Sequence, residues 1–215
     1  MKVAFIKYMI VSCMMAFCAG SATSQIGLGM TYGLDLYQYQ ANPLNQPFQG
    51  NRGIGSAIFN LNIGPKLFIG TKNYSIAAEA QLGIAPFAFD INQYKGLGAF
   101  YFPMMVSLNF KGLSGFYEKS GWGVGIAGGY EFARTDLYFI KDEFENLTRE
   151  MFQTTFLQFN VGIGSKAKSI YAYFRYGGGE LGARNWHVGI MFDRNLTQMK
   201  KIKKRETIID GNPAE

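Results

Sequence analysis

The chain has 215 residues, of which only 17% are charged while 16% are aromatic, with 27 glycines and a formal net charge of +6. A soluble domain carries roughly 25% charged residues, so charge is too scarce here for an ordinary water-exposed surface, and the length suits a single domain. The basic excess does not point to nucleic acid, because Lys200, Lys201, Lys203, Lys204 and Arg205 gather much of it into one stretch near the C-terminus.

Lys2 and Lys7 precede an apolar run from Tyr8 to Ala19, and the small residues Gly20 to Ser24 follow. That layout predicts a secretory signal peptide over 1–24, cleaved between Ser24 and Gln25; the run is too short for a membrane-spanning helix, which needs about 20 apolar residues. Both cysteines, Cys13 and Cys18, fall inside it. The mature chain is then expected to lack disulfides, cysteine metal sites and cysteine nucleophiles.

From Ile26 onward eight segments alternate with a period of two, which predicts strands. The first sets Ile26, Leu28, Met30, Tyr32, Leu34 and Leu36 against Gly27, Gly29, Thr31, Gly33 and Asp35. The second (about 54–70) sets Ala57, Phe59, Leu61, Ile63, Leu67 and Ile69 against Ser56, Asn60, Asn62 and Lys66. The third (74–90) opposes Ile76, Ala78, Ala80, Leu82 and Ile84 to Glu79, Gln81 and Gly83. The fourth (98–111) opposes Phe100, Phe102, Met104, Val106, Leu108 and Phe110 to Ser107, Asn109 and Lys111. The fifth (119–135) pairs Trp122, Val124, Ile126, Tyr130 and Phe132 with Gly123, Gly125, Ala127, Gly129 and Glu131 behind them. In the sixth (151–165) Leu157, Phe159, Val161 and Ile163 lie opposite Gln158, Asn160 and Gly162. In the seventh (169–177) Ile170, Ala172, Phe174 and Tyr176 lie opposite Tyr171, Tyr173 and Arg175. The eighth (184–192) ends the series with Trp186, Val188, Ile190 and Phe192 opposite Asn185, His187 and Gly189.

Eight alternating strands predict an all-β fold, an eight-stranded antiparallel up-and-down transmembrane β-barrel over 25–192, followed by a basic periplasmic tail over 193–215. Connections 40–53, 91–97, 136–150 and 178–183 are expected outside, and the turns 71–73, 112–118 and 165–168 on the periplasmic side. Aromatic girdles are then expected at Phe68, Tyr74, Phe110, Trp122 and Phe192 on the inner rim, and at Phe89, Phe100, Phe102, Tyr130, Phe132, Phe174, Tyr176 and Trp186 near the outer one. Pro65, Pro86 and Pro103 interrupt strands, and a phase change after Pro86 predicts a β-bulge near Ala85–Pro86.

Alternation alone fits a soluble barrel with an apolar cavity equally well. Residue size separates the two: bulky Leu, Ile, Phe and Trp on one face suit an unrestricted exterior, and Gly, Ala, Ser and Thr on the other suit the narrow lumen of eight strands. The last strand, Asn185-Trp-His-Val-Gly-Ile-Met-Phe192, resembles the C-terminal signal read by the barrel-assembly machinery, although about two dozen residues follow it here. Across 25–192 the chain resembles the small outer-membrane barrels of OmpA/OmpX-like architecture. That resemblance implies an outer-membrane location with both chain ends periplasmic. It also implies contact with outer-membrane lipid and lipopolysaccharide, and membership of an envelope or secretion complex is one possibility.

An inward polar set, Glu79, Gln81, Asn109, Gln158, Asn160, Tyr173, Arg175 and His187, is expected at mid-membrane depth. We expect Glu79 to pair with Arg175 across the lumen, because a lone charge there is costly. Such a network plugs the barrel; the competing reading is a gate or proton path. His187 raises the alternative of a lipid A-modifying enzyme, but a nucleophile must lie within reach of its base, and no serine lies within two positions of His187. We expect no catalytic, metal or cofactor site. The acidic loop Asp136–Glu150 reads as a solvated hairpin extension or a recognition surface. The basic tail reads as solvated and partly disordered, or as a contact for anionic headgroups, peptidoglycan or an envelope protein.

Overall fold

The computed structural model describes residues 25–43, 54–89, 99–135 and 151–209. The expected leader 1–24, the loops 91–97 and 136–150, and most of 40–53 lie outside the described residues. The eight strands are β1 (Gln25–Ala41), β2 (Ile54–Ile58 continuing as Asn60–Gly70), β3 (Tyr74–Ala80, Leu82–Ala85 and Phe87–Phe89) and β4 (Ala99–Lys111). They continue as β5 (Gly121–Thr135), β6 (Phe152–Ser165), β7 (Lys168–Gly179) and β8 (Arg184–Asn195), and helix α1 (Leu196–Ile209) follows. Each strand pairs antiparallel with its sequence neighbours, and β8 pairs with β1 from Gly29 opposite Asn195 to Ala41 opposite Arg184. The sheet therefore closes on itself, which leaves no edge to be satisfied.

Alternation sorts the side chains as their chemistry demands. Leu28 (62% exposed), Leu61, Val106, Leu157 and Phe159 stand outward, while Thr31, Asn62, Ser107, Gln158 and Arg175 are buried inside. The lumen has no spare room. A Cβ on Gly83 would lie 2.2 Å from the Tyr101 ring, and one on Gly189 2.7 Å from that of Tyr173, so the small face of the sequence is a packing requirement of large rings reaching across the tube.

Four local expectations are corrected. Phe68 belongs to the interior, 1% exposed, where its ring meets that of Phe116 edge-on at 6.4 Å; it is no girdle residue. Ala57 also faces inward, because β2 breaks at Phe59, which takes a left-handed φ of 56°. The strand break at Pro86 is not a bulge: Ile58 pairs with Phe87 and Leu61 with Ile84, so both strands pass the interruption with the same number of residues. The register does shift in β1, between Asp35 and Tyr37, which turns Gln38 and Gln40 inward. Pro65 causes no distortion of register either, since the β2–β3 ladder simply skips it between Ile63–Leu82 and Lys66–Glu79.

The inner end is sealed. The segment between β4 and β5 folds under the barrel and buries Leu113, Ser114 and Phe116, with Ala167 N donating to Gly115 O (3.4 Å) and Ser114 Oγ to Lys72 O (3.0 Å). The barrel runs to Asn195 instead of Phe192, and the expected disordered tail is helical over Leu196–Ile209. Asn195 explains the switch. Its Oδ1 accepts from Gln198 N (3.3 Å), the N-cap contact that lets a strand end as a helix begins.

Candidate functional site: the charged interior

All eight residues of the expected inward set are buried in the lumen, and seven of them divide between two clusters at different heights. The outer cluster is centred on His187, from β8. Its Nδ1 lies 2.8 Å from Asp35 Oδ2 and its Nε2 3.2 Å from Glu131 Oε1. Asp35 also accepts from Tyr101 (2.8 Å), from Tyr173 and from Asn62 (2.5 Å). Glu131 takes Arg175 Nη1 at 2.9 Å and Asn185 Nδ2 at 2.5 Å. Arg175 Nε donates to Gln158 (2.8 Å), whose amide donates on to Asn160 (2.9 Å), and the guanidinium lies over the Phe156 ring at 4.6 Å. An ionised carboxylate accepts and does not donate, so a ring placed between two of them donates from both nitrogens, the imidazolium form. Asp35 and Glu131 are then matched by Arg175 and His187.

The inner cluster has one cation. Lys66 Nζ lies 2.9 Å from Glu79 and 2.7 Å from Asp193, with Tyr171 OH at 3.4 Å. Tyr171 donates to Asp193 (3.2 Å), Thr31 also donates to Asp193, and Gln81 donates to Glu79. The ammonium is flanked by the rings of Phe68 and Tyr171, at 5.4 and 5.5 Å. Both Glu79 and Asp193 thus depend on a single ammonium and on neutral donors.

The expected Glu79–Arg175 pair does not form: Glu79 takes Lys66 and Arg175 takes Glu131. Asn109 joins neither cluster and donates instead to Ser107 (3.0 Å). Asp35, Lys66, Tyr101, Glu131, Tyr171 and Asp193 carry much of the geometry yet stand outside the expected set. The signal for Lys66 was available, because a short turn at 71–73 forces Gly70 opposite Ser75 and hence Lys66 opposite Glu79. Asp193 escaped because the eighth strand was expected to stop one residue earlier.

Neither ring nitrogen of His187 faces a hydroxyl, and both are occupied by carboxylates. Among the described residues no group of three His, Cys, Asp or Glu is placed to hold a metal ion. Of the expected girdle residues, Trp122 is 72% exposed and Phe110 and Tyr130 are also exposed, whereas Tyr74, Phe100, Phe102, Phe132, Trp186 and Phe192 are half-buried against neighbours. Phe100 and Phe102 meet edge-on at 4.6 Å, and Trp186 packs on Tyr37 at 4.7 Å.

No protein-family model matches the chain, and no curated protein sequence matches it. Among solved structures it is similar to Neisserial surface protein A, at 9% identity over 80% of this chain and 99% of that one, with a TM-score of 0.46. It is similar also to the N-terminal β-barrel domain of Pseudomonas aeruginosa OprF (11% identity, 80% and 99% covered, TM-score 0.40). A third is the outer membrane protein OprG from Pseudomonas aeruginosa (7% identity, 79% and 94% covered, TM-score 0.38). The chain has the closed eight-stranded antiparallel architecture expected of a small outer-membrane barrel.

Proposed function

We propose that the protein is an integral outer-membrane barrel with both chain ends periplasmic, closed to ion flow, acting as a structural or accessory component of the envelope through its outer loops or its inner end. One observation carries this reading. A continuous belt of exposed Leu, Ile, Val and Phe surrounds a lumen filled by two ion-paired clusters, an arrangement that is unstable in water and suited to hydrocarbon. The soluble lipid-binding alternative requires apolar groups inside, where this chain has Arg175, Lys66, Glu79 and Glu131. Catalysis on lipid A receives no support from His187, whose nitrogens are both engaged by carboxylates and turned away from lipid. Outer-membrane lipid and lipopolysaccharide are the surroundings this reading assigns, with insertion by the barrel-assembly machinery. Role and complex membership rest with the loops outside and the helix inside.

The test is refolding of the urea-unfolded mature chain into phosphatidylcholine vesicles. A faster-migrating band on unheated gels that reverts on boiling is expected, together with no steady conductance in planar bilayers. Failure to insert would overturn the membrane assignment; large, sustained conductance would overturn the closed lumen while leaving the barrel intact.

A further inference from the structure

The two rims differ in charge. On the inner rim the exposed or half-exposed basic residues are Lys72, Lys111, Lys119, Lys166, Lys168 and Arg194. Helix α1 starts at this rim and adds the exposed Lys200 and Lys201, with Lys203, Lys204 and Arg205 following in the same helix. Against these the described carboxylates at this end outside the lumen are Glu118, in an ion pair with Lys72 at 2.9 Å, and Glu206 within α1. The described outer rim has Arg134, Arg184 and Glu180, and in sequence the residues between β5 and β6 include Asp136, Asp142, Glu143, Glu145 and Glu150 against Lys141 and Arg149.

A second observation locates a binding position within the basic rim. Lys168 and Arg194 sit directly opposite each other in the β7–β8 ladder, both on the outward face. Like charges in that relation repel. Arg194 lies over the ring of Phe192 at 5.6 Å, and its Nε has no hydrogen-bond partner among the described residues. The pair therefore places two cations with no carboxylate partner among the described residues at the Phe192 ring, at the height where a strand leaves hydrocarbon for headgroups. Helix α1 is held against the same rim, because Thr197 Oγ1 accepts Leu28 N (3.0 Å) and Gln198 donates to Gln25 (2.7 Å). Its first lysines, Lys200 and Lys201, follow only two and three residues after Gln198, about 3–5 Å of helix rise.

We propose that this rim and helix form a binding surface for anionic phospholipid headgroups of the periplasmic leaflet, with a lipid phosphate seated between Lys168 and Arg194. The inference rests on the outer-membrane reading and its periplasmic chain ends. Each basic residue near an anionic surface strengthens attraction by about fivefold, so the rim and helix together give strong preference over zwitterionic lipid, and one that falls with salt.

The experiment folds the full mature chain into vesicles of phosphatidylcholine alone and of phosphatidylcholine with 20 mol% phosphatidylglycerol, about a fifth, then extracts it and counts retained lipids by native mass spectrometry. Retention of phosphatidylglycerol over phosphatidylcholine is expected, weakened about 25-fold by Lys168→Gln with Arg194→Gln and again by Lys200→Gln with Lys201→Gln. Heat-modifiable migration in both lipid compositions verifies the barrel separately. A folded barrel that retains both lipids equally, or whose preference survives all four substitutions, overturns this inference and leaves the outer-membrane reading standing. Co-sedimentation with purified peptidoglycan that is abolished by the same substitutions, without lipid preference, would also overturn it and assign the surface to the cell wall. Absence of the heat-modifiable band in either composition would defeat the membrane reading and this inference together.

Discussion

The two charge clusters in the lumen solve the same problem differently. Around His187 each charge has an opposite neighbour, and the carboxylates have neutral donors besides: Asp35 is served by Tyr101, Tyr173 and Asn62 as well as by the imidazole, and Glu131 by Asn185. Around Lys66, two carboxylates share one ammonium, and the neutral donors are Thr31, Tyr171 and Gln81. Redundancy on one side and dependence on the other mean that equal-looking substitutions have unequal consequences. Breaking a buried pair by removing one member costs about 3–5 kcal/mol, because the survivor is left charged in a low-dielectric site. Lys66→Met does this to two carboxylates at once and is expected to show the largest effect, about 3–5 kcal/mol or loss of the folded band altogether. Urea titration followed by gel migration in vesicles measures it. Adding Glu79→Gln and Asp193→Asn to Lys66→Met is expected to recover most of the loss, and a triple variant no better than the single would show that the charge imbalance is not the cause.

The barrel was legible because its physical requirement is periodic. Alternation at every second residue places Leu28, Val106 and Phe159 outside and Thr31, Ser107 and Gln158 inside without any knowledge of partners. The partners were less legible. Face is a local property, whereas the choice between Lys66 and Arg175 as the mate of Glu79 depends on height along the axis and position around it. Those are set by register and shear, which alternation does not encode. Phe68 illustrates a different failure: its even number within β2 puts it on the same face as Lys66 and Asn62, yet its aromatic character and nearness to a turn suggest the girdle. Parity was the stronger argument, since the Phe116 ring rising from below supplies the inner partner that a buried ring needs. The helix that follows β8 was hidden by its charge. Five basic residues within six positions discourage an isolated helix, and what starts this one is Asn195, held by the barrel itself.

His187 sharpens the contrast from the redundant side. His187→Gln keeps a donor and removes one positive charge, leaving Asp35 with three neutral donors and Glu131 with Arg175 and Asn185. The expected loss is about 1–3 kcal/mol, that of disturbing hydrogen bonds to charged groups, and smaller than for Lys66→Met. The same urea titration ranks the two. A His187→Gln variant less stable than Lys66→Met would invert the comparison and identify the imidazolium as the barrel's main internal cation.

The smallest effect is expected below both clusters, where Asn195 joins wall, floor and helix. Its side chain donates to Gly115 O (3.2 Å) and accepts from Gln198 N, and its backbone N donates to Ala167 O (2.8 Å). Asn195→Ala leaves the backbone contact and removes the other two, a loss of about 1 kcal/mol. The consequence is local: amide exchange over Leu196–Ile202 should accelerate while β5–β7 remain protected. Gly27 offers an independent handle on the same contact, because a Cβ there would lie 2.4 Å from Asn195 Nδ2 and displace the amide. Gly27→Ala should therefore free the helix as Asn195→Ala does, and the two together should cost little more than either alone. Simple additivity in that double-mutant cycle would show that the amide does not couple floor to helix, and that α1 is held instead by the Thr197 and Gln198 contacts to β1.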